Sequence, residues 1–248
     1  MRLLVDIGNT FIHFAICNKD SLKTTFQVDN KLTSSLIIEN IEKHLNSWNK
    51  FIKYCVISSV NPKINSILKV LIEKYKWKTL IINSNLKSNI IYNLEDNINL
   101  GADLIAAAVG AKTKYLKQDI IIVMLGTATT ITCVKNNEFI GGAILAGLHI
   151  SQEVLMKRTA LLKNILLKPL PKNLLGRNTN DAVSVGLIYG HILAIEGIVN
   201  KYKKILKKPV VLLSGGNYKF LQKFLNDYIV EEHLIFYGLN TLWSLNKE

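Results

Sequence analysis

Val5-Asp6-Ile7-Gly8-Asn9-Thr10 is the stretch on which the reading of this chain turns. A carboxylate ends an apolar strand, glycine follows, and Asn and Thr lead into a second apolar run, Phe11 to Cys17. Glycine lets backbone amides approach an anion. A carboxylate there can hold Mg2+, directly or through water, and amides and hydroxyls can take phosphate oxygens. The same residues could equally do no more than satisfy the backbone of a hairpin. A second glycine turn, Leu125-Gly126-Thr127-Ala128-Thr129-Thr130, has glycine and hydroxyls but no carboxylate.

Outward from Gly8, Arg2 to Asp6, Phe11 to Cys17 and Leu22 to Val28 read as three antiparallel strands. Leu36, Ile37, Ile41, Leu45 and Trp48 recur at helical spacing behind a Thr33 or Ser34 cap. The pattern then predicts strand Lys53 to Ser58, helix Pro62 to Tyr75, strand Lys78 to Ile82, a polar loop, and helix Ala102 to Leu116. From Asp119 the order starts again. Strands Asp119 to Met124, Thr129 to Val134 and Phe139 to Leu145 are followed by helix Ile150 to Leu162 and a Leu/Lys/Pro segment to Arg177. Helix Asp181 to Ile205, strand Pro209 to Leu213, helix Asn217 to Asn226, a weak strand at His233 to Phe236 and a terminal helix from Leu239 complete the chain. The pattern predicts an α/β protein of two duplicated halves, residues 1–112 and 113–248, with glycine turns at matching points gripping one ligand.

A third element, Val210 to Leu213 running into Ser214-Gly215-Gly216-Asn217, is a buried strand ending in paired glycines, against which a flat adenine and ribose can lie. An ordinary strand-to-helix turn would need only one glycine. Gly186, Gly190, Ala194 and Gly197 share one face of the long helix, which suits close helix approach, within the chain or with a second copy.

With 248 residues, 49% of them hydrophobic, the chain has ample core. No uninterrupted run of about 18 apolar residues and no signal-peptide pattern is present, so neither a membrane helix nor export is expected. Cys17, Cys55 and Cys133 are odd in number, far apart and not spaced as metal ligands, which suits a reducing cytosol. His13, His44, His149, His191 and His233 form no ligand pattern and read as surface or satisfied core residues. The net charge is +13, yet only Arg2, Arg158 and Arg177 are arginine, and aromatic residues do not interleave with the lysines as stacking on nucleic acid requires. Solvated lysine-rich faces, not a nucleic-acid partner, account for the charge.

The three motifs in this order resemble the two phosphate motifs and the adenosine motif of the acetate and sugar kinase, heat-shock and actin superfamily, whose members pair two ribonuclease-H-like (actin-like ATPase) domains. More narrowly, residues 3 to 241 resemble the type III pantothenate kinases. The marks are Asp-Ile-Gly-Asn-Thr at 6 to 10, Ser58-Ser59-Val60-Asn61-Pro62, Tyr92 ahead of Gly101-Ala102-Asp103, and Gly126-Thr127-Ala128-Thr129-Thr130. Gly141-Gly142-Ala143-Ile144, Gly176-Arg177-Asn178-Thr179, Ser214-Gly215-Gly216 and Gly238-Leu239 follow in order. The resemblance implies a cytoplasmic, homodimeric enzyme that phosphorylates pantothenate to 4'-phosphopantothenate, the first step of coenzyme A biosynthesis. Asp6, Ile7, Gly8, Asn9, Thr10, Gly126, Thr127, Gly215 and Gly216 would contact ATP, with Mg2+ at Asp6. Tyr92, Gly101, Ala102, Asp103, Leu104 and Thr179 would line the pantothenate site, with Asp103 as the base. Asp103 falls in a helix's first turn, where the dipole favours its anion; without the resemblance it reads as an ordinary N-terminal helix carboxylate.

This sequence departs from the family at three places. Leu104 stands where the family has Arg; Met124 and Thr132 stand where it has Asp, the first of these a ligand for K+ or NH4+. The losses open an alternative, a catalytically degenerate kinase fold acting as a regulatory or accessory protein. A phosphatase, or a kinase for another small substrate, on the same scaffold is a further possibility.

Overall fold

The computed structural model describes residues 1–95, 100–167 and 174–247. They form two compact units: Met1–Leu116 with Asn137–Phe139 and His233–Glu248, and Lys117–Asn136 with Ile140–Glu232.

In the first unit, β1 (Arg2–Ile7), β2 (Phe11–Asn18) and β3 (Ser21–Asp29) form an antiparallel meander. α1 (Ser34–Leu45) and α2 (Pro62–Tyr75) alternate with β4 (Tyr54–Ser59) and β5 (Lys78–Ile81), both parallel to β1, giving the sheet order β3-β2-β1-β4-β5. Local chemistry sets the helix boundaries. Thr33 caps α1 through the Leu36 N–H, and Asn61 caps α2 through the Lys63 N–H with Pro62 in the first turn. Ile37, Ile41 and Leu45 of α1 and Ile64, Ile67, Leu68 and Leu71 of α2 pack on Leu3, Val5 and Ile7. Strand alternation turns Leu4 and Asp6 to the opposite face, where α3 (Ala102–Lys114) lies. β6 (Ile91–Tyr92), in the segment expected as polar loop, pairs in parallel with residues 138 and 139.

The second unit repeats the plan. β7 (Ile120–Leu125), β8 (Ala128–Lys135) and β9 (Glu138–Ala146) lead to α4 (Leu148–Arg158) and α5 (Thr179–Tyr202). β10 (Val210–Ser214), α6 (Tyr218–Leu221) and β11 (Ile229–Val230) follow, and β10 is parallel to both β7 and β11. The order β9-β8-β7-β10-β11 is that of the first sheet, so the duplication read from the sequence is present in the strand topology. Ile121, Val123 and Leu213 meet Ile188, Ile192, Ile195 and Val199 of α5 in this unit's core.

The predicted strand at His233 to Phe236 is corrected: α7 (Leu234–Asn246) starts there, and the weak strand lies earlier, at Ile229–Val230. α7 belongs to the first unit, whereas the division at residues 112 and 113 assigned it to the second half. The sequence holds no uninterrupted apolar run of about 18 residues, and hydropathy averaged along a helix is a different measure. Among the described residues, α5 is long and apolar enough by length and composition, with a mean hydropathy of 1.8. The buried stripe of α5 packs into the second unit's core. Helices read as Ile150 to Leu162 and Asn217 to Asn226 are shorter, and part of the Leu/Lys/Pro segment, residues 168–173, lies outside the described residues.

α3 and α7 touch backbone to backbone. Gly110 lies against the Leu234 carbonyl and Gly238, and Gly238 lies against the Ala106 carbonyl. A Cβ at either position would collide with main chain, so Gly238→Ala should destabilise by about 1 to 3 kcal/mol through forced separation of the two helices, read as a lower urea midpoint at unchanged slope.

Candidate active site

The first unit places two carboxylates at one end of its sheet. Asp6 is nearly buried on the α3 face of β1, and its cross-strand neighbour Ser58 donates from Oγ to Asp6 Oδ1 at 2.9 Å. Asp103 sits in the first turn of α3, where its Oδ1 accepts the Leu104 N–H at 2.9 Å. A side chain at the capping residue, Gly101, would press on that same oxygen. Burial, then the charge of Asp103, pushes the Asp6 carboxyl up to about 7, against the opposing Ser58 bond. Burial raises Asp103 as well, opposed by backbone N–H groups of its own helix turn. Two carboxyls, one of which raises the cost of ionising the other, form a donor set that a hard divalent cation would relieve. Asp6 therefore fits a hard divalent cation such as Mg2+.

Above Asp6 the chain turns at Gly8, and its carbonyls are tied back into the protein. Val60 N–H donates to Ile7 O at 3.0 Å, Gly8 N–H to Phe11 O at 3.1 Å and Asn30 N–H to Thr10 O at 2.9 Å. The Asn30 side-chain amide donates to Gly8 O at 2.7 Å. The second unit repeats this at Gly126: Asn217 N–H donates to Leu125 O at 2.9 Å, Gly126 N–H to Ala128 O at 3.1 Å and Gly147 N–H to Thr127 O at 3.1 Å. There the Asn217 side-chain amide reaches Gly126 O at 3.3 Å. Gly215, at φ 93°, packs its Cα directly on the Leu125 backbone, which no side chain would allow. The adenosine-type turn and the second glycine turn are thus joined main chain to main chain.

A cavity of about 410 Å³ opens beside that junction, lined by Gly126, Thr129, His191, Gly216, Asn217 and Phe220 among others. His191 Nε2 lies 2.9 Å from Thr129 Oγ1, and burial lowers the imidazole's proton affinity. The sequence pattern gave no reason to single out His191, Phe220 or Asn30. Asn30 follows a strand by one residue, a position that usually marks only a turn.

The expected site residues thus form two groups. Asp6, Ile7, Gly8, Asn9 and Thr10 share the first unit with Gly101, Ala102, Asp103, Leu104 and Tyr92. Gly126, Thr127, Gly215 and Gly216 gather in the second. Tyr92, on β6, donates its hydroxyl to Ser88 Oγ at 3.4 Å, and burial raises the phenol. Thr179 opens α5 as an exposed residue behind the Asn178 cap. Residues 96–99, between Tyr92 and Gly101, lie outside the described residues.

At the second turn a thioether stands where the family resemblance leads one to expect a carboxylate. Met124 pairs across the sheet with Thr130, whose buried Oγ1 has no hydrogen-bond partner, and Thr132 is buried opposite Ile122. A thioether is a poor ligand for a hard cation.

The profile of type III pantothenate kinases matches residues 2–201. The chain belongs to the type III pantothenate kinase family. It is 30% identical over 257 residues to type III pantothenate kinase 1 of Francisella tularensis subsp. holarctica, and 31% identical over 250 residues to the type III pantothenate kinase of Mycoplasma mobile. Each comparison covers 100% of both chains. Among solved structures it is similar in fold to a Campylobacter jejuni protein described as a candidate Baf family transcriptional activator, with TM-score 0.63, 21% identity and 98% of each chain covered. The inorganic polyphosphate/ATP-glucomannokinase of an Arthrobacter strain aligns with TM-score 0.51 and 13% identity over 99% of each chain. These likenesses are consistent with the two ribonuclease-H-like domains expected from the sequence, and the family makes this chain a kinase.

The raised Asp6 carboxyl links to stability with a definite sign. The folded state holds a proton on Asp6 that the unfolded chain gives up, so stability falls as pH rises from the ordinary carboxylate range through about 7. Asp6→Asn should therefore melt a few degrees above the parent at about pH 8 and close to it at about pH 4, as thermal scans at the two pH values would show.

Proposed function

We propose that this kinase transfers the γ-phosphoryl group of ATP to the primary hydroxyl of pantothenate, giving ADP and 4'-phosphopantothenate, the entry reaction of coenzyme A biosynthesis. The supporting observation is the placing of the buried Asp6 and the half-buried Asp103 at one end of the first unit's sheet, with burial raising both carboxyls and the charge of Asp103 adding to the rise at Asp6. A fold serving only as an accessory protein gains nothing from keeping two repelling carboxylates together, whereas a phosphoryl-transfer site needs a metal carboxylate and an acceptor for the hydroxyl proton.

In this reading Mg-ATP meets Asp6 to Thr10 of the first glycine turn and Gly126 and Thr127 of the second, with adenosine toward Gly215 and Gly216. Bound Mg2+ neutralises phosphate charge; Asp6 holds it directly or through water. Tyr92, Gly101, Ala102, Leu104 and Thr179 hold pantothenate. Asp103 accepts the hydroxyl proton as that oxygen bonds to the γ-phosphorus, and the bridging oxygen leaves with ADP. Leu104 supplies no cation for the substrate carboxylate, so pantothenate is held by shape and hydrogen bonds more than by charge.

A homodimer in the cytoplasm completes the proposal. Among the described residues, a Cβ added at Gly186, Gly190 or Gly197 meets nothing within 4 Å, and Leu193 on the same helix is exposed, so the small-residue face of α5 is open to a second copy.

Pantothenate-dependent release of ADP by the purified protein is the direct test. Asp103→Asn should lower that rate by at least about a hundredfold while Mg-ATP still raises the melting temperature. No pantothenate-dependent turnover in the parent would overturn the proposal. With Met124 in place of a carboxylate, the rate should be the same in sodium, potassium and ammonium salts at equal ionic strength; marked activation by K+ or NH4+ would contradict that part.

A further inference from the structure

We infer that Asn30 and Asn217 are positioning residues for phosphoryl transfer, each locking the peptide after the glycine of its turn. The inference rests on the reading that ATP phosphates bind at the two glycine turns, and it assigns work to side chains outside the residues expected to touch the nucleotide.

A trans peptide is flat, with its C=O and the following N–H pointing in nearly opposite directions. Whatever holds the Gly8 carbonyl therefore aims the Asn9 N–H away from it, and whatever holds the Gly126 carbonyl aims the Thr127 N–H. Glycine gives the least resistance to rotation of that peptide plane. A half-turn would offer a carbonyl oxygen to the triphosphate, the wrong sign for an anion site. In each unit one asparagine amide blocks that rotation: Asn30 Nδ2 at 2.7 Å from Gly8 O, and Asn217 Nδ2 at 3.3 Å from Gly126 O. The Gly8 contact orients the Asn30 amide, because the reverse would set its Oδ1 against the Gly8 carbonyl; its Oδ1 is buried without a hydrogen-bond partner among the described residues. Donation to a carbonyl also polarises its peptide and strengthens the N–H on the other side as a donor.

The two asparagines reach this position by unrelated routes. Asn30 follows β3, and its own N–H holds Thr10 O; Asn217 follows β10, and its own N–H holds Leu125 O. The glycine carbonyl is engaged by the same chemical group from different places in the two repeats. A side chain inherited simply as part of the repeat would occupy the same place in both. Convergence on one bond points to a requirement at the glycine carbonyl. Asn217 also ties the adenosine-type turn to the phosphate turn, so loss of its amide should loosen phosphate placement without changing the Gly215 contact.

The test uses the full-length protein with Asn30→Ala, Asn30→Asp, Asn217→Ala and Asn217→Asp. In each variant the KM for Mg-ATP should rise about tenfold, with the KM for pantothenate within about twofold of the parent and a single cooperative melt. The Asp variants should be the weaker of each pair, because a carboxylate meets both the carbonyl and the triphosphate with like charge. The melting shift produced by Mg-ATP alone should shrink in parallel, a readout that survives if pantothenate proves not to be the acceptor. Variants that melt cooperatively yet keep ATP KM and Mg-ATP melting shift within about twofold of the parent would overturn the inference. So would equal losses for both substrates. Should Asn30→Ala fail to melt as one transition, the half-buried Asn217 variants decide on the same criteria.

Discussion

The hydrogen bonds that pull the carbonyls of residues 7, 8, 10 and 125 to 128 back into the protein are the constraint on which this structure's chemistry depends. A glycine turn binds phosphate only if its donors, not its acceptors, face the anion. The fold secures this with donors from the loops around each turn: Val60 and Asn217 follow the strand parallel to the turn's first strand, and Asn30 and Gly147 follow the third strand of the meander. The sheet order shared by both units places those loops at the carboxyl end of the central strand, where ligands of α/β proteins gather.

Next to the first turn the fold keeps an arrangement that works against its own stability. Asp6 and Asp103 face the same side of the sheet, partly withdrawn from water, and Ser58 and the first N–H groups of α3 offset only part of the cost. Core residues around them are under no such strain: Leu3, Val5 and Ile7 alternate with Leu4 and Asp6 as a central strand requires, and the sheet would close as well with an apolar residue at position 6. The strain is local, it sits at the end of the strand, and it suits a site that awaits a cation and a hydroxyl proton.

Much of this was legible in the sequence. Period-two alternation around Gly8 and Gly126 and the repeat of strands and helices were enough to identify the duplication, because a meander of three strands leaves a regular apolar signature. Asp6 beside Gly8 is readable from the residues alone as a metal carboxylate or, equally, a hairpin residue, whereas Asp103 is legible only through the family resemblance, since the sequence alone cannot show that β1 and the start of α3 meet. Asn30 and His191 left no signal: each works through a backbone or side-chain partner remote in sequence, Gly8 and Thr129. α7 was misread at its start because Leu234, Ile235 and Phe236 look like a strand until the Gly110 and Gly238 contact with α3 is known. The span-like composition of α5 was hidden by its glycines and histidine, which interrupt the apolar run without lowering its mean hydropathy below that of a span.

Amide hydrogen exchange with and without Mg-ATP addresses the central claim most directly. Slower exchange at Asn9 and Thr10 and at Thr127 and Ala128 together, on adding nucleotide, is the expected result, because amides turned toward the triphosphate become its donors in both units. Slower exchange at one turn alone, or at neither while protection appears elsewhere, would contradict the claim that the two restrained turns form the phosphate site.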